Sequence, residues 1–141
     1  MSSKILCGGI AAIAVLAASV AFGQEVKLKA DLSAAQEVPP NQSPGKGTAA
    51  ITLDTATKKL SWTVNYSGLS GPATAAHIHG PAEPGKNASP AVPFQNAGVN
   101  PITGSATLTD AQVADLNDGK YYVNIHTAAS PGGEIRGQIT K

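Results

Sequence analysis

All three histidines of this 141-residue chain fall in two short segments, Ala75-Ala76-His77-Ile78-His79-Gly80 and Tyr122-Val123-Asn124-Ile125-His126-Thr127. Histidine is the commonest protein metal ligand, and a His-x-His pair on an extended strand directs both rings to one face, roughly 6.6 Å apart along the chain. Such a pair can chelate. Whether His126 joins it depends on parity, because successive side chains of a strand point to opposite faces of a sheet. Ile78 is expected to face the core, which turns His77 and His79 outward. Val123 and Ile125 are the core-facing pair of the later segment, which turns Tyr122, Asn124 and His126 outward. If the two strands are neighbours, His77, His79 and His126 form a three-histidine site on the outer surface of a β-sheet.

Three neutral nitrogens suit Cu(II) or, second, Zn(II), whereas Ca²⁺ and Mg²⁺ take oxygen ligands. Cys7 is the chain's one cysteine and Met1 its one methionine, so a blue-copper centre would lack its sulfur ligands once the leader described below is removed. A fourth position can take water, Glu134, Glu83 or nothing. Three protein ligands with one open position is also the arrangement of catalytic metals. The competing reading is structural: the ring N–H groups bond nearby carbonyls or Glu134. By the same parity rule Glu134 and Arg136 share a face of the last strand, where an ion pair or a backbone clamp is expected. With Asn124, they are the candidates for supporting the ligands. Trp62, Tyr66, Tyr121 and Tyr122 are expected to pack.

The elements that must position these residues are strands. Short alternating segments separated by Gly, Pro, Asn and Ser point to an all-β sandwich or barrel rather than to βαβ units. Val26, Leu28, Ala30 and Leu32 alternate with Lys27, Lys29 and Asp31, so the first strand buries one face. A loop from Gln36 to Gly47 follows. Ala49, Ile51 and Leu53 then mark a strand that turns through Asp54–Lys58 into Leu60, Trp62, Val64 and Tyr66, a predicted hairpin. The His77/His79 strand leads into a Pro- and Gly-rich loop from Gly80 to Pro90, and further strands are expected at Ala91–Gln95 and Gly104–Leu108. Thr109 is the N-cap of a brief helical turn that Asn117-Asp118-Gly119 stops. Lys120–Thr127 and Glu134–Thr140 make the last hairpin. About eight strands result, with one short helical turn.

At the N-terminus, Lys4 precedes an apolar run from Ile5 to Ala18 and then small residues, the pattern of a secretory signal peptide. Cleavage after Gly23 is expected, with Ala21 as the alternative site, and the run is shorter than the roughly 20 residues of a spanning helix. Residues 1–23 are thus read as a signal peptide, and 24–141 as one exported domain, periplasmic or extracellular, without cysteine. Its nine basic and nine acidic residues nearly cancel. No basic field points to nucleic acid or to an anionic membrane.

Four stretches carry a family resemblance: Leu32-Ser33-Ala34-Ala35-Gln36-Glu37-Val38-Pro39-Pro40, Ala76-His77-Ile78-His79-Gly80-Pro81-Ala82, Tyr122-Val123-Asn124-Ile125-His126-Thr127, and Pro131-Gly132-Gly133-Glu134-Ile135-Arg136-Gly137-Gln138-Ile139. They resemble the chordin-type (CHRD) domain family. The resemblance spans essentially all of residues 24–141 and implies an immunoglobulin-like β-sandwich or barrel, found in bacterial secreted proteins and, as repeats, in the animal protein chordin. It implies no settled molecular function, and growth-factor binding does not carry over to a single domain without a cysteine-rich module. A more local similarity is to Cu,Zn superoxide dismutase, a Greek-key barrel in which His77, His79 and His126 match three of four copper ligands in order. The bridging histidine, the zinc ligands and the disulfide of that family have no counterpart.

Three function classes follow. One is an exported protein that binds Cu(II) or Zn(II), and another is a structural or protein-interaction module of the cell envelope without metal. Dismutase-like redox chemistry is a remote third. A hydrolase lacks its signature, since no Gly-x-Ser-x-Gly elbow is present.

Overall fold

The computed structural model describes residues 22–141, so the expected signal peptide lies, up to residue 21, outside the described residues. β1 (Glu25–Ser33) alternates as its sequence requires: Leu28, Ala30 and Leu32 are buried, and Lys27, Lys29 and Asp31 are exposed. A 3-10 turn at Ala34–Gln36 breaks the strand and opens the proline-rich loop. β2 (Lys46–Asp54) and β3 (Lys59–Ser67) pair antiparallel along their whole length, from Lys46 opposite Ser67 to Asp54 opposite Lys59. Asp54 makes the turn between them, its Oδ1 accepting from the Ala56 and Thr57 amides at 2.8 and 3.1 Å.

β4 (Ala73–His79), β5 (Pro90–Pro93), β6 (Ile102–Thr107), α1 (Asp110–Asn117), β7 (Tyr122–Thr127) and β8 (Ile135–Gln138) complete the domain. α1 starts at a full capping box: Gln112 N donates to Thr109 Oγ1, and Thr109 N donates to Gln112 Oε1. Two strand positions differ from the sequence expectation. β5 runs from Pro90 to Pro93, followed by one more bond to β4 from Phe94 N to Ala76 O, and β6 starts two residues early at Ile102, where its pairing with Val64 begins.

The eight strands form one antiparallel sheet in the order β5-β4-β7-β8-β1-β2-β3-β6, all-β as expected. Consecutive strands are repeatedly separated in this order, so the chain crosses over between the two halves in the Greek-key manner. Curling the sheet places Leu53, Leu60, Val64, Ile78, Val123, Ile125, Ile135 and Ile139 in one apolar interior. The edges β5 and β6 are drawn together by residues beyond β5. Phe94 stacks on Trp62 of β3 at 4.4 Å, and the Tyr66 hydroxyl donates to Ala97 O, so the sheet is nearly closed. Gly104, opposite Trp62, is needed at this seam: a Cβ there would lie 2.7 Å from the indole.

One end of the interior is tied by a carboxylate. Glu134 is fully buried, and its carboxylate oxygens accept from Ser43 Oγ, Ser70 Oγ, the Ser70 amide and Thr127 Oγ1. Burial works to raise its pKa, but these bonds from Ser43, Ser70 and Thr127 overcome it and hold the group at about 2. The segments of Ser43 and Ser70 are thereby pinned to the β7–β8 corner, where Thr127 ends β7. Glu134→Ala leaves hydroxyls without an acceptor and is expected to lower the stability by about 2–4 kcal/mol in urea unfolding. Because the folded pKa lies below the ordinary 4.5, the stabilisation is complete above pH 4.5 and is lost as the pH falls through about 2. An acid-unfolding curve of Glu134→Ala that kept the wild-type slope between those values would contradict this role.

Candidate metal centre

β4 and β7 are neighbours, and their register sets His79 opposite Tyr122, His77 opposite Asn124, and His126 opposite Ala75. His126 and His77 are therefore diagonal neighbours on one face, within reach of long side chains. The small Ala75 leaves space beside the His126 ring. The three rings converge: His77 Nδ1 lies 3.2 Å from His126 Nε2, and His79 Nε2 lies 3.4 Å from the same atom. One ring nitrogen from each residue falls within 4.8 Å of the others. Two nitrogens bound to one tetrahedral ion at about 2.0–2.1 Å would be roughly 3.3 Å apart, which is close to both spacings.

The far side of two rings is already occupied. His79 Nδ1 is 2.9 Å from Ala88 O, and His126 Nδ1 is 3.0 Å from Pro131 O. A carbonyl only accepts, so each of these nitrogens carries the proton and each Nε2 presents a lone pair. These are the outer hydrogen bonds that orient ligating histidines. Without a cation, two lone pairs face each other across 3.4 Å, and a single N–H, from His77 Nδ1 to His126 Nε2, serves the cluster. Burial lowers the pKa of all three rings. The His126 ring adds to this at His77, whereas the Ala88 and Pro131 carbonyls partly oppose it at His79 and His126. At neutral pH the rings are uncharged, the form that binds metal.

Parity places the histidines on the side of the sheet away from the apolar interior, as the sequence indicates, but that side is not the molecular surface. His79 and His126 are only 7 % and 8 % exposed, and His77 alone is half-buried. Two loops cover the site. Tyr122 stacks on His79 at 5.0 Å and exchanges hydrogen bonds with Ala88 through its hydroxyl. The Arg136 guanidinium sits 3.5 Å from the Tyr122 ring centre and donates to Lys86 O and Asn87 Oδ1, while Asn87 donates to Val38 O. Asn124 donates to Glu37 Oε1 and Ile135 O. The segments around residues 37–38 and 86–88 are thus strapped over the cluster, and Pro131 closes it from the β7–β8 turn.

The chain matches the family model of the CHRD domain over residues 28–139. It belongs to the CHRD domain family. No curated protein and no solved structure matches it. The match runs through both histidine strands and the loops over them, so in this CHRD domain the cluster, its cover and the barrel form one unit.

Glu134 does not share a strand face with Arg136, and of the two expected roles the ion pair is not formed. The β7–β8 ladder ends at the Ile125–Ile135 pair, so Glu134 lies off the strand and outside the reach of the parity rule. The two ion pairs among the described residues are Lys58–Asp110 and Lys120–Asp118, so Glu134 and Arg136 do not pair. Arg136 is a backbone clamp on the covering loop, the other expected role. Glu134 is spent on hydroxyls and Glu83 is exposed; neither joins the histidine cluster, which leaves the fourth position to water or to nothing among the residues considered. Tyr122 was expected only to pack, yet it joins a ligand ring to the loop clamp. Its position opposite His79 is set by the register, which residue spacing along one strand does not contain. Gly80, with φ +152°, releases the chain from His79 into the covering loop, and a Cβ there would strike Tyr121 at 1.9 Å.

Tyr122→Phe removes only the hydroxyl exchange with Ala88 and is expected to cost about 0.5–1.5 kcal/mol. Tyr122→Ala also removes the stack and the Arg136 seat, at about 3–5 kcal/mol. Urea midpoints of the two variants that coincide would show that the ring contributes nothing.

Proposed function

We propose that this CHRD domain is an exported metal-binding protein that holds Cu(II), or with lower affinity Zn(II), through His77 Nδ1, His79 Nε2 and His126 Nε2. The observation that carries the reading is the pair of converging Nε2 lone pairs whose outer nitrogens are tied to Ala88 and Pro131 carbonyls. Imidazole donors of this kind follow the order that ranks Cu(II) above Zn(II). When bound, the ion supplies Lewis acidity or, for copper, a redox couple, and the half-buried His77 marks the side from which it enters. His79 and His126 are oriented by their carbonyl partners, and Tyr122 and Arg136 keep the covering loop over them. Buffering or delivery of metal suits three fixed ligands better than dismutation, because the chain has no further histidine to bridge a second ion, and Arg136 is committed to Tyr122 and the loop.

Export is supported by where the hydrogen-bonded fold begins. Gln24 exchanges hydrogen bonds with Thr55 and Glu25 opens β1, whereas Phe22 is 91 % exposed, so cleavage after Gly23 leaves every strand intact. No helix among the described residues is long and apolar enough to cross a membrane.

Titrating the metal-free protein with Cu(II) and recording electron paramagnetic resonance is expected to show coupling to three nitrogens, reduced to two in His77→Ala and in His126→Ala. A spectrum without nitrogen coupling, or one unchanged by His126→Ala, would establish the alternative of a metal-free structural module. Binding to the native state also raises its stability, by about 2.7 kcal/mol at a free metal concentration of 100 times Kd. Protons compete for the same lone pairs, so affinity is expected to fall below about pH 6 and not above it. Constant affinity down to pH 4 would contradict histidine ligation.

A further inference from the structure

A cleft of about 370 Å³ opens between the Ala35–Pro40 segment and the Pro84–Gly85 turn, with Arg136 and Glu37 among its walls. Both are buried, at 2 % and 6 % exposure. Arg136 makes no ion pair among the described residues, and it uses one N–H of each terminal nitrogen on Lys86 O and Asn87 Oδ1. Its other N–H groups meet no acceptor among the described residues. A guanidinium this deep is ordinarily paired with an anion. Glu37 bonds Asn124 through Oε1, and its second oxygen has no hydrogen-bond partner among the described residues. Ala35, Val38, Pro40 and Pro84 make one part of the wall apolar, and Gln36 and Gln138 add two neutral polar side chains whose amide nitrogens are bonded to backbone carbonyls.

We propose that this cleft binds a small monocarboxylate with a short apolar tail, its carboxylate between Arg136 and Glu37 and its tail against Val38 and Pro40. The volume suits such a ligand. Arg136 supplies charge and planar donors. Burial, only partly offset by the Asn124 hydrogen bond and the Arg136 charge, pushes Glu37 up to about 7, so in its protonated form it donates from the free oxygen to the ligand. Arg136 on β8 is the charged group facing Glu37; β7 contributes the neutral Asn124. An inorganic phosphate dianion suits the site less well, because one guanidinium faces it together with an acidic neighbour and the apolar side chains of Val38 and Pro40. The site requires no metal and stands or falls separately from the histidine cluster.

The test is a titration of metal-free, chelator-free full domain with propionate, followed by calorimetry and by the side-chain Nε–H signal of Arg136 in nuclear magnetic resonance. Saturable binding that moves this signal is expected, stronger than binding of inorganic phosphate and weaker at pH 8.5 than at pH 5.5, where Glu37 is protonated. Arg136→Gln should weaken binding roughly 10- to 100-fold. If that variant fails to fold, Ala35→Phe, at an exposed position on the cleft wall, should block binding with Arg136 intact. Glu37→Gln should remove the loss at high pH. An Arg136 signal unmoved by tens of millimolar propionate, or binding unaffected by Ala35→Phe, overturns the proposal, as does phosphate binding more tightly than propionate.

Discussion

In the register of β4 against β7, His79 faces Tyr122 and His126 faces Ala75, and everything at the site depends on that alignment. A slip of one residue would carry Ile78 away from the apolar interior and the histidines into it, because the side-chain period of a strand is two. Ile78, Val123 and Ile125 are almost wholly inaccessible to solvent. Their burial therefore locks the alignment, and the convergence of the three imidazoles follows from packing on the opposite side of the same two strands.

The histidine face is built as a second, polar interior. Asn124, Arg136, Glu37, His79 and His126 are all buried, and each has a hydrogen-bond partner in a loop or a neighbouring strand. Burying polar groups is costly unless they are paired. The covering loops offset that cost with carbonyls from Lys86, Ala88 and Pro131, and the Tyr122 ring links the ligand layer to the Arg136 layer. The same cover explains why the histidines stay neutral and why their lone pairs remain directed at one point. It also produces the cleft beside Arg136, since a rigid strap over a sheet leaves space where the two loops part.

At the β7–β8 turn, beside the cluster, Glu134 performs a different task with the same chemistry. Its hydroxyl donors stabilise the ionised form, whereas Glu37, with fewer donors, is pushed towards the neutral form. Two buried carboxyl groups of one small domain are thus set on opposite sides of the ordinary range, by burial that prevails at Glu37 and by hydrogen bonds that outweigh it at Glu134.

The sequence by itself determined the strands and their inward faces. Alternation in Val26–Leu32 and in Lys59–Tyr66, the Asp54 turn and the Thr109 cap are local signals, and local hydrogen bonding and a period of two are enough to express them. It also determined, by the same parity, that His77, His79 and His126 turn away from the core-facing residues of their own strands, whereas the pairing of β4 with β7 that brings them together was decided by the tertiary structure. Whether that side met water was decided only by the tertiary structure. Parity names a face but not what lies over it, and the loops that bury His79 and His126 are anchored by residues distant in the chain, such as Arg136 to Lys86 and Asn87 to Val38. The separation of Glu134 from Arg136 was likewise decided there, because the β7–β8 ladder stops at Ile135 and alternation has no meaning beyond the last paired residue.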